Sequence, residues 1–173
     1  MQNKLFGGIK IFKTTIFKDN RGSFREVYKK KFIKKKSFIF DCLSISKKNV
    51  LRGLHMQTKN PQAKFLTVIK GEIFDVAVDL RKKSKTFGRY FSIILSNKNY
   101  CSIYIPQGFA HGFCCLDEEN IVYYCNSNYR NKKNEIGIVW NDPDINIKWP
   151  IKNPILSKKD KKNLLLKEYY NNF

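Results

Sequence analysis

Two histidines, His55 and His111, are all the imidazole in this chain of 173 residues, so proton transfer near neutral pH would rest chiefly on them. His55 lies in Val50-Leu51-Arg52-Gly53-Leu54-His55-Met56-Gln57, an apolar run broken by a glycine that permits close approach or a bulge. On a regular strand His55 and Gln57 share one face and Arg52 and Leu54 the other, whereas a bulge at Gly53 shifts that phase. One reading makes His55 a general base in a cavity that Arg52 and Gln57 also enter. The plainer reading is a hydrogen-bonded core histidine, and the pattern alone leaves both open. His111 lies in Ile105-Pro106-Gln107-Gly108-Phe109-Ala110-His111-Gly112-Phe113, where a Pro-x-Gly turn and small neighbours suit the mouth of a ligand-holding barrel.

A metal centre is the obvious rival chemistry, and it fails on ligand count. There is no H-x-H, no Glu close after His55, and no C-x-x-C among Cys42, Cys101, Cys114, Cys115 and Cys125, so neither metal nor cofactor is expected. Asp75 and Asp79, four apart, fall on one strand face, while Asp142 and Asp144 flank Pro143 and read as turn residues. The chain has no G-x-x-x-x-G-K-[ST], G-x-G-x-x-G or G-x-S-x-G, which removes the footing for P-loop, dinucleotide and α/β-hydrolase chemistry.

The elements that must position these residues are short strands. Lys64 to Ile69, Gly71 to Leu80, Tyr90 to Leu95, Ser102 to Ile105, Gly112 to Leu116, Ile121 to Tyr124 and Ile136 to Trp140 are β-rich runs separated by turn signals. An early strand pair is expected around Ile9 to Phe17 and Phe24 to Tyr28. Such spacing predicts an all-β sandwich or jelly roll. A helix capped by Ser157 is expected over Lys158 to Tyr169. No repeat or linker divides the chain, so residues 1–173 read as one domain.

The formal charge is +20. Nucleic-acid binding, attraction of a small anionic substrate, and plain solvated lysine runs all fit that number. The runs around Lys29 to Lys36, Lys82 to Lys85 and Lys158 to Lys162 carry few aromatics, so nucleic acid is not the expected partner. No stretch of about 18 apolar residues and no leader-like N-terminus is visible, and the odd cysteine count suits a reducing compartment. A cytoplasmic protein without a membrane partner is expected.

Read together, Asp19-Asn20-Arg21-Gly22-Ser23-Phe24-Arg25-Glu26, the His55 run, Gln62-Ala63-Lys64, Gly71 to Arg81, Tyr104 to Phe113, Trp140-Asn141-Asp142-Pro143, Trp149-Pro150 and Leu156 to Asp160 resemble the dTDP-4-dehydrorhamnose 3,5-epimerase family. The similarity runs from about Phe12 to Asp160. It implies a cupin-like jelly-roll barrel with a short C-terminal helical segment, metal-free, in a homodimer with N-terminal strand exchange. It implies epimerisation at C3 and C5 of a nucleotide-diphosphate-linked 4-keto sugar for surface-polysaccharide biosynthesis.

By the same resemblance His55 is the base, Asp160 orients it, Lys64 stabilises the oxyanion with His111 nearby, and Tyr124 returns a proton from the opposite face. Arg21, Arg52 and Lys159 would hold the pyrophosphate, Ser44 and Gln57 would line the site, and Phe24 and Glu26 would contact the nucleobase. The chain departs from the family pattern at Phe40 and Cys42, where Gln and Asn are usual, and at Asn49, where Gly is usual. Arg130 aligns with a sugar-packing aromatic, with Tyr129 just before it. These departures leave open the nucleotide (dTDP, GDP or CDP), the sugar, and one inverted centre or two. Gln57, where the related 3,4-ketoisomerases carry a second histidine, argues against that class. A C3-only epimerase, a non-catalytic sugar-nucleotide binder and a basic nucleic-acid-binding protein are the remaining alternatives.

Overall fold

The computed structural model describes residues 6–34 and 37–173. Two five-stranded antiparallel sheets face one another. The first is built from β1 (Lys10–Lys13), β4 (Phe40–Lys47), β6 (Lys64–Lys70), β9 (Cys101–Ile105) and β11 (Glu119–Asn126), in the order β1-β9-β6-β11-β4. The second holds β5 (Leu51–Gln57), β7 (Glu72–Asp79), β8 (Tyr90–Ser96), β10 (Phe109–Cys115) and β12 (Glu135–Gly137), in the order β12-β5-β10-β7-β8. A separate hairpin, β2 (Ile16–Asp19) and β3 (Gly22–Arg25), lies outside both. This is the expected all-β jelly roll.

Alternation explains which strand faces which way. Ile73 and Ala77 of β7 join Leu66, Val68, Ile103 and Phe113 in the core between the sheets. Val76 and Val78 point out of the second sheet into another cluster, with Leu54 and Ala110, covered by Ile145, Ile147, Leu166 and Tyr169 of the C-terminal segment. Covered on both sides, β10 is buried along its whole length, as a strand between two apolar layers must be.

Asp142 locks this cover down. Its carboxylate accepts from the backbone N–H groups of Asp144, Ile145 and Leu166, so the turn reading of this aspartate holds. Asp79, also buried, accepts from Arg81, Ser84 and Thr86 and fixes the loop after β7.

Three expectations need correction. The early strands do not pair as Ile9 to Phe17 with Phe24 to Tyr28: β1 joins β9, and β2 pairs with β3. The segment Lys158 to Leu165 is not α-helical. Ser157 caps only a 3-10 turn at Asp160–Lys162, Leu164 forms a parallel bridge to Ile138, and the helix α1 spans Leu166–Asn172. A continuous helix could not both give Leu164 to the sheet and turn Asp160 inward. Finally β4, unassigned from the sequence, is the edge of the first sheet; its inner face mixes Phe40 and Cys42 with Ser44 and Ser46, which blurs the period-2 signal. No helix among the described residues is long and apolar enough to cross a membrane.

Candidate active site

A cavity of about 330 Å³ opens between the inner faces of the two sheets. Its position follows from one backbone crossing. Gly53 of β5 has φ +115° and packs against Gly112 of β10; a Cβ on Gly53 would lie 2.6 Å from both Gly112 Cα and the His111 carbonyl oxygen. The β5–β10 register slips at this crossing. The slip resolves the phase question left by the sequence: Arg52 and His55, which regular alternation would separate, both line the cavity, while Leu54 goes to the outer cluster.

His55 stands directly opposite His111 across the β5–β10 pair, so the two imidazoles share a face. His55 Nε2–H donates to Asp160 Oδ1 at 2.6 Å, across 105 residues of sequence. That bond fixes the ring and leaves Nδ1 with the lone pair. Burial works against ionisation of Asp160, yet the His55 contact and the Ser157 hydroxyl hold its carboxyl below the ordinary range. His111 Nε2 bonds Asp75 Oδ2 at 2.7 Å. Asp75 has no exposed surface, and its second oxygen, Oδ1, has no hydrogen-bond partner.

The facing wall comes from the first sheet. Tyr124 of β11 lies opposite Leu66 and Cys42, and Lys64 lies opposite Asn126. Tyr124, Lys64, Cys42 and Asn126 therefore project from one face, and all four line the cavity. Val122, next along that face of β11, is core. Burial pushes the Lys64 ammonium below its usual range, with Glu135, Cys42 and Asp75 acting the other way. Burial likewise raises the Cys42 thiol, so it is a polar wall rather than a thiolate.

Glu135 of β12 closes one end. It accepts from Arg130 Nε at 2.8 Å and Nη2 at 3.1 Å and is paired with Lys159. Burial opposes its ionisation, but these two cations hold it at about 2. Arg52 lines the cavity and donates from Nε to Ser46 Oγ at 2.9 Å and from Nη2 to the Ile45 carbonyl at 3.3 Å.

Of the residues singled out from the sequence, His55, Tyr124, Asp160, Lys64, Arg52, His111, Arg130 and Lys159 meet in this cavity. Six do not. Gln57 is buried and bonds the Tyr129 and Asn60 carbonyls and the Asn131 N–H, stabilising the loop behind the wall. Ser44 is buried on the inner face of β4 without lining the cavity, its hydroxyl unpartnered. Tyr129 packs near Phe40 but faces outward. Arg21 pairs with Asp19, Phe24 is exposed on the outlying hairpin, and Glu26 pairs with Lys29.

Sequence reading passed over Glu135, Gln62, Asn126 and Ser157, all of which line the cavity. Glu135 carried one usable signal, as the lone acid in Arg130-Asn131-Lys132-Lys133-Asn134-Glu135.

The cavity thus sets His55 and Tyr124 on opposite sheets and gathers Lys64, Arg52, Arg130 and Lys159 in its lining. The sequence model described as dTDP-4-dehydrorhamnose 3,5-epimerase matches residues 4–168. The dTDP-4-dehydrorhamnose 3,5-epimerase of Shigella flexneri is 46% identical over 156 residues, covering 87% of this chain and 86% of that protein. Its counterpart from Methanothermobacter thermautotrophicus is 42% identical over 168 residues, covering 93% and 90%. Among solved structures, a dTDP-6-deoxy-D-glucose-3,5-epimerase from Legionella pneumophila, in complex with dTDP-4-keto-L-rhamnose, superposes with a TM-score of 0.88 at 39% identity, covering 92% of this chain and 88% of that one. By this match and these identities, the chain belongs to the dTDP-4-dehydrorhamnose 3,5-epimerase family, a family of isomerases.

Proposed function

We propose that this protein inverts C3 and C5 of a dTDP-linked 4-keto-6-deoxy sugar, with His55 as base and Tyr124 as acid, in the service of surface-polysaccharide synthesis. The observation that carries the reading is the placement of His55 and Tyr124 on opposing sheets across one cavity, with Lys64 and His111 lining it as well. The dTDP sugar named with the Legionella structure supports the choice of nucleotide.

The chemistry follows from the ketone. A C4 carbonyl acidifies the C–H bonds at C3 and C5. His55 Nδ1 takes the proton, and the C–H electron pair moves to form an enolate with its charge on O4. The Lys64 ammonium stabilises that charge, with His111 beside it. Tyr124 O–H then protonates the same carbon from the other face, the ketone re-forms, and the centre is inverted. His55 then releases its proton to solvent, and the Tyr124 phenolate takes one up from solvent, which returns both to their starting forms. The reading invokes no metal, and among the described residues no three of His, Cys, Asp and Glu are grouped so as to hold one. Arg52 and Lys159 are placed to hold the pyrophosphate.

The hairpin β2–β3 belongs to neither large sheet, and it exposes Phe17 and Phe24, whose ring centroids are 6.4 Å apart. We assign it to a homodimer in which Arg21, Phe24 and Glu26 serve the partner's cavity. Five free cysteines suit work in a reducing cytoplasm. Arg130 stands where the family resemblance calls for an aromatic, which favours inversion at C3 alone as the second reading.

Incubation with dTDP-4-keto-6-deoxyglucose, followed by NMR of the product ring couplings, tests the proposal. Inversion at both carbons supports it, inversion at C3 alone supports the second reading, and unchanged substrate contradicts both.

A further inference from the structure

We propose that the lysine-rich margin of the cavity is a capture surface that draws the nucleoside diphosphate from solution, an inference that rests on the epimerase reading. Two segments frame the mouth. In one, Arg130 and Glu135 line the cavity, and Lys132 and Lys133 line an adjoining depression of about 430 Å³ that shares Arg130. In the other, Ser157, Lys159 and Asp160 line the cavity, and Lys158, Lys161 and Lys162 stand exposed beside them.

What distinguishes these five lysines is their place beside the mouth of the cavity. None makes an ion pair among the described residues. The acids of the two segments are already committed: Glu135 to Arg130 and Lys159, Asp160 to His55. Some lysines elsewhere are answered locally, as Lys48 is by Glu118 and Lys70 by Glu119, while others, Lys83 and Lys85 among them, have no ion pair among the described residues either. The depression carries Asn60, Asn128 and Asn131 but no carboxylate, so an approaching anion meets no repulsion there. Uncompensated charge at the rim of a low-dielectric cleft focuses the field into it and raises association rates.

The five lysines are exposed, so substitutions there are expected to leave the fold and the chemistry in place. The effect is also local, because screening at physiological salt acts over about 8 Å. Lys83 and Lys85 follow the end of β7, which is ~13 Å along the strand from Asp75. They provide a control of equal charge.

The test is stopped-flow association of fluorescently labelled dTDP between about 10 and about 500 mM KCl, on the wild-type protein and on matched variants. Wild-type association is expected to slow by roughly tenfold or more across that range. K132Q/K133Q and K161Q/K162Q are each expected to slow low-salt association several-fold and flatten its salt dependence, with dissociation changed by less than about twofold. K83Q/K85Q is expected to stay within about twofold of wild type. Flat wild-type association, or equal losses in the control pair, overturns the capture surface while leaving the epimerase reading intact. Absence of saturable dTDP binding at every salt concentration overturns the epimerase reading and the capture surface with it.

Discussion

His55 and His111 stand opposite one another across β5 and β10, and each gives Nε2 to a buried carboxylate, Asp160 and Asp75 respectively. The pairing is symmetrical in geometry and unequal in setting. Asp160 comes from the C-terminal segment and has a second partner in Ser157, whereas Asp75 comes from the neighbouring strand and keeps one oxygen unpartnered. The first pair suits a base that must cycle between charged and neutral forms. The second suits a fixed electrostatic support for an oxyanion.

Asp75→Asn is expected to lower kcat by about 10–100-fold while KM stays within about threefold, because an interaction made chiefly with the enolate is lost. Thermal stability is expected to fall by about 1–2 kcal/mol, since the amide keeps only a neutral bond to His111 and buries its NH2 without a partner. Steady-state kinetics and a thermal melt on the same preparation check both halves.

Asp160→Asn leaves the His55 ring with a neutral partner that can accept or donate, so the tautomer with a free Nδ1 lone pair is no longer enforced. Turnover is expected to fall by about 10²–10⁴-fold with dTDP affinity nearly unchanged. A large loss of dTDP binding instead would make Asp160 a structural anchor for the C-terminal segment.

Glu135 ties pH to stability. Its pKa is depressed from 4.5 to about 2 in the folded protein, so its contribution is complete above about 4.5 and disappears as pH falls through about 2. With Arg130 and Lys159 half exposed, the contribution is discounted for screening to ~1–2 kcal/mol. Glu135→Gln is expected to lower stability by that amount at neutral pH and to reduce the loss seen between about 4.5 and about 2. Urea melts at several pH values read this directly.

Gly53 is the residue on which the site's register depends. Gly53→Ala must fit a methyl group 2.6 Å from two backbone atoms of β10, at a φ of +115°. A destabilisation of roughly 2–4 kcal/mol is expected, with disproportionate loss of activity in whatever folds. Denaturant midpoints for the variant and for an exposed control such as Gly22→Ala, which has nothing within 4 Å, separate crowding from simple φ strain.

How far these features were legible in the sequence depends on whether they are local. Runs of β-branched and apolar residues between turn signals identify β6, β7 and β9, although these strands are buried almost continuously rather than on one face. The turn chemistry of Asp142 was readable because its partners lie mostly within three residues. The sequence permits a phase shift at Gly53, but only the packing of one glycine on another decides it.

Long-range pairs carry no local signal. The partnership of His55 with Asp160 spans 105 residues and came only through resemblance to a family. The helix over Lys158 to Tyr169 was misread for the same reason: helical spacing there is overruled by the Leu164 bridge and the Asp160 contact. Glu135 was missed because a single acid in a basic loop reads as solvated charge until Arg130 and Lys159 converge on it.

Solvent deuterium incorporation tests the two-wall mechanism most directly, with wild type, His55→Asn and Tyr124→Phe compared on dTDP-4-keto-6-deoxyglucose in D₂O. The account expects wild type to incorporate deuterium at C3 and C5 with inversion, His55→Asn to show at least 10²–10³-fold slower incorporation, and Tyr124→Phe to exchange protons without inverting the centre that Tyr124 serves. Undiminished exchange in His55→Asn, or normal inversion in Tyr124→Phe, would contradict the assignment of base and acid to opposite sheets.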